Sequence, residues 1–384
     1  MDAAKAVERL TSKNVDLWRK LDEIVTAESY FDLFKQLSDN YSPTLTVSRV
    51  QGPLVAELLA HSGGNVSPIS VTPNLRGSGS IGIRLGRRAA APVWLSGHAD
   101  ICSYLTGVRQ GSRYALTPFC MHRAGAGRRA AAALGAPDGQ GPLAHLAYGD
   151  MVTAEDGTVT FETDRADLAQ WTRVVHHLPA TWDAASDEFH GFIDNQGTCA
   201  ALLLAARVLS HFQVDALLVL NDEEEGPVDK GNQGFSRAMT RLLHRTPFQE
   251  LPEVVFVSDV QQQESRIDMG EQPYFGQGAL FSGSSSGARG AVTPPQQVAF
   301  TRDLARVLAE YGIQLEENES YVSRSDDISA MLYTQNVHLV GFPGTSAHFD
   351  HTPTARCSDL VHLTKTLVVY ALIAQDEEWR RAYL

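Results

Sequence analysis

Acidic and histidine side chains recur where apolar runs of the sequence end. The segments are Gly97-His98-Ala99-Asp100, Asp194-Asn195, Glu223-Glu224-Glu225-Gly226, Ser258-Asp259 and His351-Thr352-Pro353. Two divalent ions held about 3.5–4 Å apart need one carboxylate that bridges both, with further carboxylates and neutral imidazoles around them. The five segments supply that set with little surplus, so they indicate a site for a pair of divalent metal ions.

The predicted elements would bring these segments to one edge of a sheet. Each segment follows an apolar run of strand character or precedes a helical run: His98 follows 91–96, Glu223 and Glu224 follow 214–220, Asp259 follows 254–257, and Asp194 precedes 199–212. In open α/β sheets, ligands gather outside the carboxyl ends of the strands. Acids that arrive there from separate strands converge on one site.

Each of these residues alone has a common structural explanation. A single histidine after a strand is usually a hydrogen-bonded structural residue, a run of glutamates in a loop is usually solvated, and Asp before Gly usually makes a turn or a helix cap. The ordered set favours the metal site, because five separate coincidences at successive strand ends are much rarer than one shared cause.

The order of the motifs resembles that of the cocatalytic dizinc exopeptidase clan, and most closely the TET or deblocking (glutamyl) aminopeptidases. The shared order is HxD, DN before a glycine, EExG, a strand-end Asp and a late His before Ser/Thr-Pro, and it covers about Thr44 to Tyr370. The resemblance implies one metal held by His98, Asp194 and Asp259. It implies a second held by Asp194, Glu224 and His351, with Asp194 as the bridge.

The resemblance also implies roles for two further acids. Asp100 would accept a hydrogen bond from the distal nitrogen of His98 and fix the ring. Glu223 would be the general base that takes the proton of the activated water and returns it to the leaving nitrogen. Adjacent glutamates in an extended segment point to opposite faces, which suits separate jobs for Glu223 and Glu224. Glu225 is expected to face solvent.

The late histidine and the substrate-binding residues are less constrained. His348 and His351 are three residues apart, and the sequence alone does not decide which one binds metal. His-Thr-Pro matches the family's His-Ser-Pro and favours His351, which leaves His348 for the substrate. Asp327 lies where the family has a Thr-Asp pair beside the substrate, although capping the following segment explains it equally well. If the substrate is a small aromatic carboxylate, Arg289 or Arg324 would hold its carboxylate bidentately.

The spacing of the motifs predicts an inserted domain. Asp194 lies 96 positions after His98, which is too far for a loop between neighbouring elements. We expect a catalytic domain at 1–102 and 186–384 and a β-rich lid or oligomerisation domain at 103–185. Within the insert, 146–152 and 158–162 predict a hairpin around Asp156-Gly157. The segment 121–134 is compatible with a helix, a surface loop or a subunit contact.

Alternating strands and helices elsewhere favour a three-layer α/β/α sandwich with a largely parallel sheet. The predicted strands are 44–50, 81–85, 93–96, 214–220, 254–258 and 337–342. Besides an amino-terminal helix, the predicted helices are 199–212, 234–244, 295–312 and 358–374. The polar pieces 276–278 and 282–290 have no GxxxxGK[ST] pattern, and they are expected to form a mobile loop over the site.

Length and composition limit the functional classes. A chain of 384 residues exceeds the size of one hydrophobic core, and 43% hydrophobic with 20% charged residues is typical of a globular protein. A net charge of −13 and a pI near 5.4 argue against a nucleic-acid surface. No apolar run predicts a membrane span or a signal peptide, so the protein is expected to be cytoplasmic. The four cysteines have no CxxC spacing and fit that reducing compartment.

These observations leave three functional hypotheses open. The first is a metal-dependent aminopeptidase acting on short peptides, with one or two Zn, Mn or Co ions per subunit in a homo-oligomer. The second keeps the metal and releases the amine of a small aromatic carboxylate, as in nitroanthranilate-type aminohydrolases, which resemble the same clan. The third is a non-catalytic binding or assembly protein on a hydrolase fold, which would require the loss of a ligand or of the base.

Overall fold

The computed structural model describes residues 1–60, 62, 64, 66–88, 90–136, 142–227, 236–285, 290–319, 321 and 325–384. In these residues the helices are α1 Ala3–Lys13, α2 Leu17–Ile24, α3 Ala27–Asp39, α4 Val47–Ala60, α5 Ile193–Leu209, α6 Arg237–Arg245, α7 Glu264–Asp268, α8 Pro295–Ala309, α9 Asp327–Ala330, α10 Cys357–Ile373 and α11 Glu377–Tyr383.

The strands fall into three groups along the chain. Those before and within the long interval are β1 Ile69–Thr72, β2 Ile81–Leu85, β3 Val93–His98, β4 Tyr104–Gln110, β5 Arg113–Pro118, β6 Gly127–Gly135, β7 Ala144–Thr153, β8 Val159–Glu162 and β9 Arg173–His176. Two short strands follow, β10 Thr181–Asp183 and β11 Glu188–His190. The others are β12 Ala216–Asn221, β13 Val254–Val257, β14 Val260–Gln262, β15 Ala279–Ser282, β16 Ser284–Ser285, β17 Gly290–Ala291, β18 Leu315–Glu317, β19 Val337–Thr345 and β20 Thr354–Arg356.

A large mixed sheet forms the frame of the molecule, as the sequence predicts. Its central strands run in the order β12, β3, β13 and β19, and all three pairs are parallel. Antiparallel strands extend both edges: β2 and β1 beyond β12, and β20, β11 and β10 beyond β19. The carboxyl ends of the four central strands therefore meet at one edge of the sheet.

Both faces of this sheet are covered, which gives three layers. Leu95, Leu218 and Phe256 point to the face packed by α3, α5, α8 and α10. Their neighbours Trp94 and Val255 point to the other face, where α6 packs. Strands buried on both faces read as continuous apolar runs, which is why β3, β12 and β13 are recognisable in the sequence.

Six strands of the long interval form a separate closed barrel. Its order is β4, β5, β8, β7, β6 and β9, and β9 pairs with β4 to close it. The predicted hairpin is present, with Thr153 opposite Val159 across β7 and β8. The barrel has its own core around Tyr114, Met151 and Phe161. It ends at β9, because β10 pairs with β11 in the large sheet.

Three predictions of local structure are wrong. The segment 44–50 is not a strand, because α4 begins at Val47. The segment 121–134 is neither a helix nor only a loop, since Gly127 onward forms β6 of the barrel. In the predicted mobile loop, Ser282 ends the buried strand β15 and Ser284–Ser285 form β16, and 286–289 lie outside the described residues.

The carboxyl-terminal helices pack at the end of the molecule against α1. Asp376 caps α11 and also accepts hydrogen bonds from Arg9 and Lys13 of α1. Within the described ranges, α10 and α11 have the length and composition of a membrane span only as a pair bent by 94°, and no single helix has them.

Candidate metal centre

Four acidic or histidine side chains reach the carboxyl edge of the parallel strands. His98 is the last residue of β3, and Asp259 lies two residues beyond β13. Glu224 lies in the turn after β12, and Asp194 lies in the first turn of α5. All four are almost completely enclosed. The convergence predicted from the spacing of the motifs is therefore present for these four residues.

The distances define a first cluster around the His98 ring. Its Nε2 atom lies 2.9 Å from Asp194 Oδ1, and 3.8 Å from both Glu224 Oε2 and Asp259 Oδ1. One ligand atom each from His98, Asp194 and Asp259 lie within 4.8 Å of one another. Among the described residues, this buried Nε2 atom has no aligned hydrogen-bond partner. An imidazole nitrogen facing several carboxylates without a hydrogen bond is arranged as a metal ligand is.

The charges of the cluster also fit a cation. Burial, followed by the neighbouring Asp194, raises the pKa of Asp259 to about 8. Burial likewise raises the pKa of Glu224 well above its ordinary value. Burial alone would lower the pKa of His98, but Glu224 and the other carboxylates outweigh it and raise that pKa. Because several enclosed acids repel one another, a divalent cation at their centre would stabilise the ionised forms.

A second cluster lies on the other side of Asp194. His348 Nε2 is 3.8 Å from Asp194 Oδ2, and His348 Nδ1 is 3.9 Å from Glu225 Oε2. The Cys102 thiol donates a hydrogen bond to the same Glu225 oxygen at 3.0 Å. Asp194 thus presents one oxygen to each cluster, as a carboxylate that bridges two ions would. It faces Nε2 of His348, whereas Glu225 and Cys102 face Nδ1 of the same ring, and one ion would use only one of these nitrogens.

Two aspartates shape the turn that carries the glutamates. Asp222 accepts backbone hydrogen bonds from Leu45 and Val47, which fixes the start of the turn. Asp100 accepts from the backbone N–H groups of Glu224 and Glu225 at 3.2 and 3.1 Å. The expected contact of Asp100 with His98 is long, at 3.5 Å between Nδ1 and Oδ1. Asp100 therefore orients the turn as well as facing the ring.

The structure separates the three glutamates differently from the sequence expectation. Glu223 has a φ of 62°, and its carboxylate pairs with Arg241 of α6 instead of facing His98. Glu224 occupies the place nearest His98. The expectation that Glu225 faces solvent is wrong, because its side chain is buried against Cys102 and His348. Four consecutive acids precede Gly226, so the roles that the EExG pattern gives to two glutamates can move by one residue along the chain.

The structure also distinguishes between the two late histidines, His348 and His351. The ring of Phe349 stacks on His176 of the barrel, with centroids 4.0 Å apart, and this anchors the segment after β19. His348 then faces Asp194, whereas His351 is exposed. Within the described part of the chain, His351 forms no ion pair with a carboxylate of either cluster. The structure thus brings His348, not His351, to the site.

The expected substrate-binding residues are placed unevenly. Arg289 and Arg324 lie outside the described residues. Asp327 is fully buried at the start of α9, where its Oδ1 accepts a hydrogen bond from the Ser325 N–H group. This contact holds the backbone just before α9, whose N-cap residue is Asp326 and makes no side-chain capping hydrogen bond. The neighbouring Asp326 accepts hydrogen bonds from Asn221 and Ser236 beneath the site, a contact that nothing in the sequence pattern indicates.

Gly341 lets β19 approach the end of β13 closely. A Cβ atom at Gly341 would lie 2.0 Å from the carbonyl oxygen of Asp259. Since backbone atoms cannot move away as a flexible side chain does, a larger residue there would displace Asp259. The position of this acid thus depends on a glycine in the adjacent strand.

Solved structures with the same arrangement of elements decide the fold family. An aminopeptidase from the archaeon Desulfurococcus kamchatkensis superposes with a TM-score of 0.72 at 15% identity, covering 93% of this chain and 98% of its own. The TET aminopeptidase from the marine sediment archaeon Thaumarchaeota archaeon SCGC AB-539-E09 gives 0.72 at 12% identity, covering 93% and 99%. The chain has the fold of the TET aminopeptidases.

A third structure with the TET fold is the Pyrococcus horikoshii TET1 peptidase, which assembles into a tetrahedron or a large octahedral shell. It superposes with a TM-score of 0.66 at 14% identity, covering 89% of this chain and 99% of its own. No family model and no curated protein matches the sequence. The three structures named here are peptidases, and they give no support to the aromatic aminohydrolase alternative.

Proposed function

We propose that this chain is a metal-dependent aminopeptidase that removes the amino-terminal residue of short peptides. The observation that carries the proposal is the position of Asp194, whose two carboxylate oxygens face two separate groups of metal-binding side chains. These groups lie at the carboxyl edge of a sheet with the TET fold. Fold alone does not specify an activity, so the argument rests on the side chains of the site.

Two sets of residues would hold divalent ions. His98, Asp194 and Asp259 would bind the first, and Asp194, Glu225 and His348 the second. This assignment replaces Glu224 and His351 of the sequence expectation by Glu225 and His348, because His348 faces Asp194 and Glu225 lies beside the same ring. When bound, such ions polarise a scissile carbonyl and lower the pKa of water. Zn, Mn and Co all fit carboxylate and imidazole donors.

Glu224 is the proposed general base. Its carboxylate borders the first cluster, and the backbone of its turn is fixed by Asp100. From that position it would accept a proton from the attacking water and deliver it to the leaving amine nitrogen. Glu223 would contribute indirectly, because its ion pair with Arg241 ties the turn to α6.

The proposal extends to the assembly. The Pyrococcus horikoshii peptidase with the same fold forms closed shells, and we propose that this chain is also a homo-oligomer. The barrel carries exposed aromatic and aliphatic side chains that suit a subunit contact: Val108, Tyr148 and Trp171. Enclosure of the sites within an assembly would restrict access to short, unfolded peptides.

A substrate panel with defined metals tests the activity. The protein is freed of metal by chelation and reloaded with Zn²⁺, Mn²⁺ or Co²⁺. It is then assayed with aminoacyl anilides, short peptides with free or acetylated amino termini, and aminobenzoates. We expect cleavage of free amino-terminal substrates, loss of activity on chelation and recovery with at least one ion. Acetylated peptides should remain intact.

Two results would contradict the proposal. Release of ammonia from aminobenzoates without peptide cleavage would favour the aminohydrolase. Absence of turnover on every substrate, together with absence of metal binding, would favour a non-catalytic protein. Metal content measured by mass spectrometry on the same samples separates an inactive metalloprotein from one that does not bind metal.

A further inference from the structure

Cys102 lies among the side chains of the second cluster. Its sulfur is 3.0 Å from Glu225 Oε2 and 3.8 Å from His348 Nδ1. One ligand atom each from Cys102, Glu225 and His348 lie within 4.8 Å of one another. The residue is only 3% exposed. The proposed catalysis uses Glu225 and His348 but leaves this thiol without a role.

The position of Cys102 follows from the local fold. It comes four residues after His98, just before β4 leads the chain into the barrel. The backbone N–H of Ile101, next to Cys102, donates a hydrogen bond to the carbonyl of Ser42, which lies in the loop before α4. The thiol therefore cannot move far from Glu225 without moving the end of β3, which also carries His98.

We propose that Cys102 supplies a sulfur ligand to the second metal position, together with Glu225 and His348, whose Nδ1 atom is the ring nitrogen that faces both of them. This inference deepens the proposed function, because it rests on the same pair of metal positions. Binding would convert the thiol to a thiolate, with its proton released to solvent as the metal–sulfur bond forms. No oxidation or reduction is involved.

A sulfur donor changes which ion the second position prefers. Thiolate is a soft ligand that favours Zn²⁺, whereas a set made only of carboxylates and imidazoles also suits Mn²⁺. The first position, with His98, Asp194 and Asp259, has no sulfur donor among the described residues. The two positions would thus differ in selectivity, with Zn²⁺ in the second and a less restricted choice in the first.

The competing explanation is that Cys102 only donates a hydrogen bond to Glu225. Cys102→Ser distinguishes the two, because a serine hydroxyl donates the same hydrogen bond but is a poor ligand for Zn²⁺. If the thiol only positions Glu225, the change to serine should alter metal binding little. If the thiol is a metal ligand, the same change should weaken metal binding.

Spectroscopy of the Co²⁺-loaded protein tests the inference without measuring activity. Thiolate bound to Co²⁺ gives an intense charge-transfer band in the near ultraviolet, which carboxylates and imidazoles do not give. We expect this band in the natural protein and in Cys357→Ser, and its loss in Cys102→Ser. The affinity of the second position for Zn²⁺ should fall about tenfold or more in Cys102→Ser, while binding of Mn²⁺ stays unchanged.

A measurement on the natural protein covers the case in which Cys102→Ser does not fold. X-ray absorption of the Zn²⁺-loaded protein should show a sulfur neighbour at about 2.3 Å besides nitrogen and oxygen at about 2.0–2.2 Å. A zinc shell of only nitrogen and oxygen, or a charge-transfer band that persists in Cys102→Ser, would overturn the inference. Either result leaves the peptidase proposal intact, whereas sulfur ligation without peptide cleavage would reject only the peptidase.

Discussion

Single carboxylates decide the chemistry of this site by which neighbour they face. Asp194 turns one oxygen to His98 and the other to His348, so one residue links two clusters. Glu223 and Glu224 are adjacent in the chain but face Arg241 and His98 respectively. A residue's role therefore follows from the direction of its side chain, which a motif gives only approximately.

The first residue-scale prediction concerns the general base. We expect Glu224→Gln to lower kcat by about 10²–10⁴-fold, because the amide cannot accept the proton of the attacking water. Glu223→Gln is the matched change one residue away. It removes the charge facing Arg241 and should reduce thermal stability while kcat stays within about a few-fold of the natural value. Steady-state kinetics and metal content are measured on both variants.

A reversed result would restore the assignment expected from the sequence. If Glu223→Gln abolished turnover with metal content unchanged, and Glu224→Gln lost a metal ion instead, the EExG pattern would apply in its original register. Metal content is the necessary control, since a variant that loses its ion is inactive whichever residue is the base.

The second residue-scale prediction separates the two late histidines. We expect His348→Ala to lose one of the two ions bound per subunit, because its ring faces Asp194 and Glu225. His351→Ala, at an exposed position three residues on, should keep both ions. Titration of the metal-free protein, followed by calorimetry, gives the stoichiometry. Loss of an ion only in His351→Ala would contradict the assignment.

The sequence was sufficient to find the candidate cluster but not which glutamate and which late histidine belong to it. His98, Asp194 and Asp259 each have one acidic or histidine residue at a strand or helix end, so their assignment had no close competitor. The turn after β12 offers Asp222, Glu223, Glu224 and Glu225 in succession. Which of these points inward depends on the left-handed backbone at Glu223 and on hydrogen bonds from residues distant in sequence. The local sequence pattern shows neither the backbone conformation nor these distant hydrogen bonds.

At the scale of elements, the errors occur where tertiary packing outweighs local preference. Alanine favours helices, yet Ala131, Ala132 and Ala133 form the middle of β6. All three are buried in one cluster with Phe161 and Tyr114. Because successive side chains of a strand point to opposite faces, β6 is buried on both faces here. The continuous apolar strands β3, β12 and β13 were predicted correctly, because burial on both faces leaves a clear signature.

An element-scale prediction concerns the contact between α1 and α11. Burial alone would raise the pKa of Asp376, but hydrogen bonds from Lys13, Arg9 and the helix backbone lower it to about 2. The side chain is 11% exposed, and its partners are more exposed, so screening keeps the contribution small. We expect Asp376→Asn to reduce the free energy of unfolding by about 1 kcal/mol at neutral pH.

The sign of the pH dependence follows from the lowered pKa. The carboxylate stabilises the fold while it is ionised in both states, and this contribution is lost as pH falls from about 4 towards about 2. The difference between the natural protein and Asp376→Asn in denaturant unfolding should therefore shrink over that range. Asp303→Asn, at an exposed ion pair with Arg306, should differ little from the natural protein at any pH. A difference independent of pH would refute the explanation.

At the scale of the whole molecule, the length of the interval between His98 and Asp194 indicated the domain organisation. An interval of 96 positions required an insertion, and the structure closes six strands of that interval into a barrel. Contacts such as Phe349 on His176 join the barrel to the segment that carries His348. The closed shape of the barrel could not be predicted, because β6 was not recognisable as a strand.

The last prediction concerns assembly through the barrel. Trp171 is 68% exposed, and its backbone N–H group donates to the carbonyl of Thr106 in β4, the strand that also carries the exposed Val108. Large apolar side chains grouped on one surface are typical of subunit contacts. We expect Trp171→Ser to shift the mass measured by light scattering towards smaller assemblies, with cleavage of a dipeptide substrate retained.

Phe248→Ser, at a residue 83% exposed near α6, is the matched control and should leave the mass unchanged. If Trp171→Ser kept the full assembly and Phe248→Ser dissociated it, the subunit contact would involve the α/β/α layers and not the barrel.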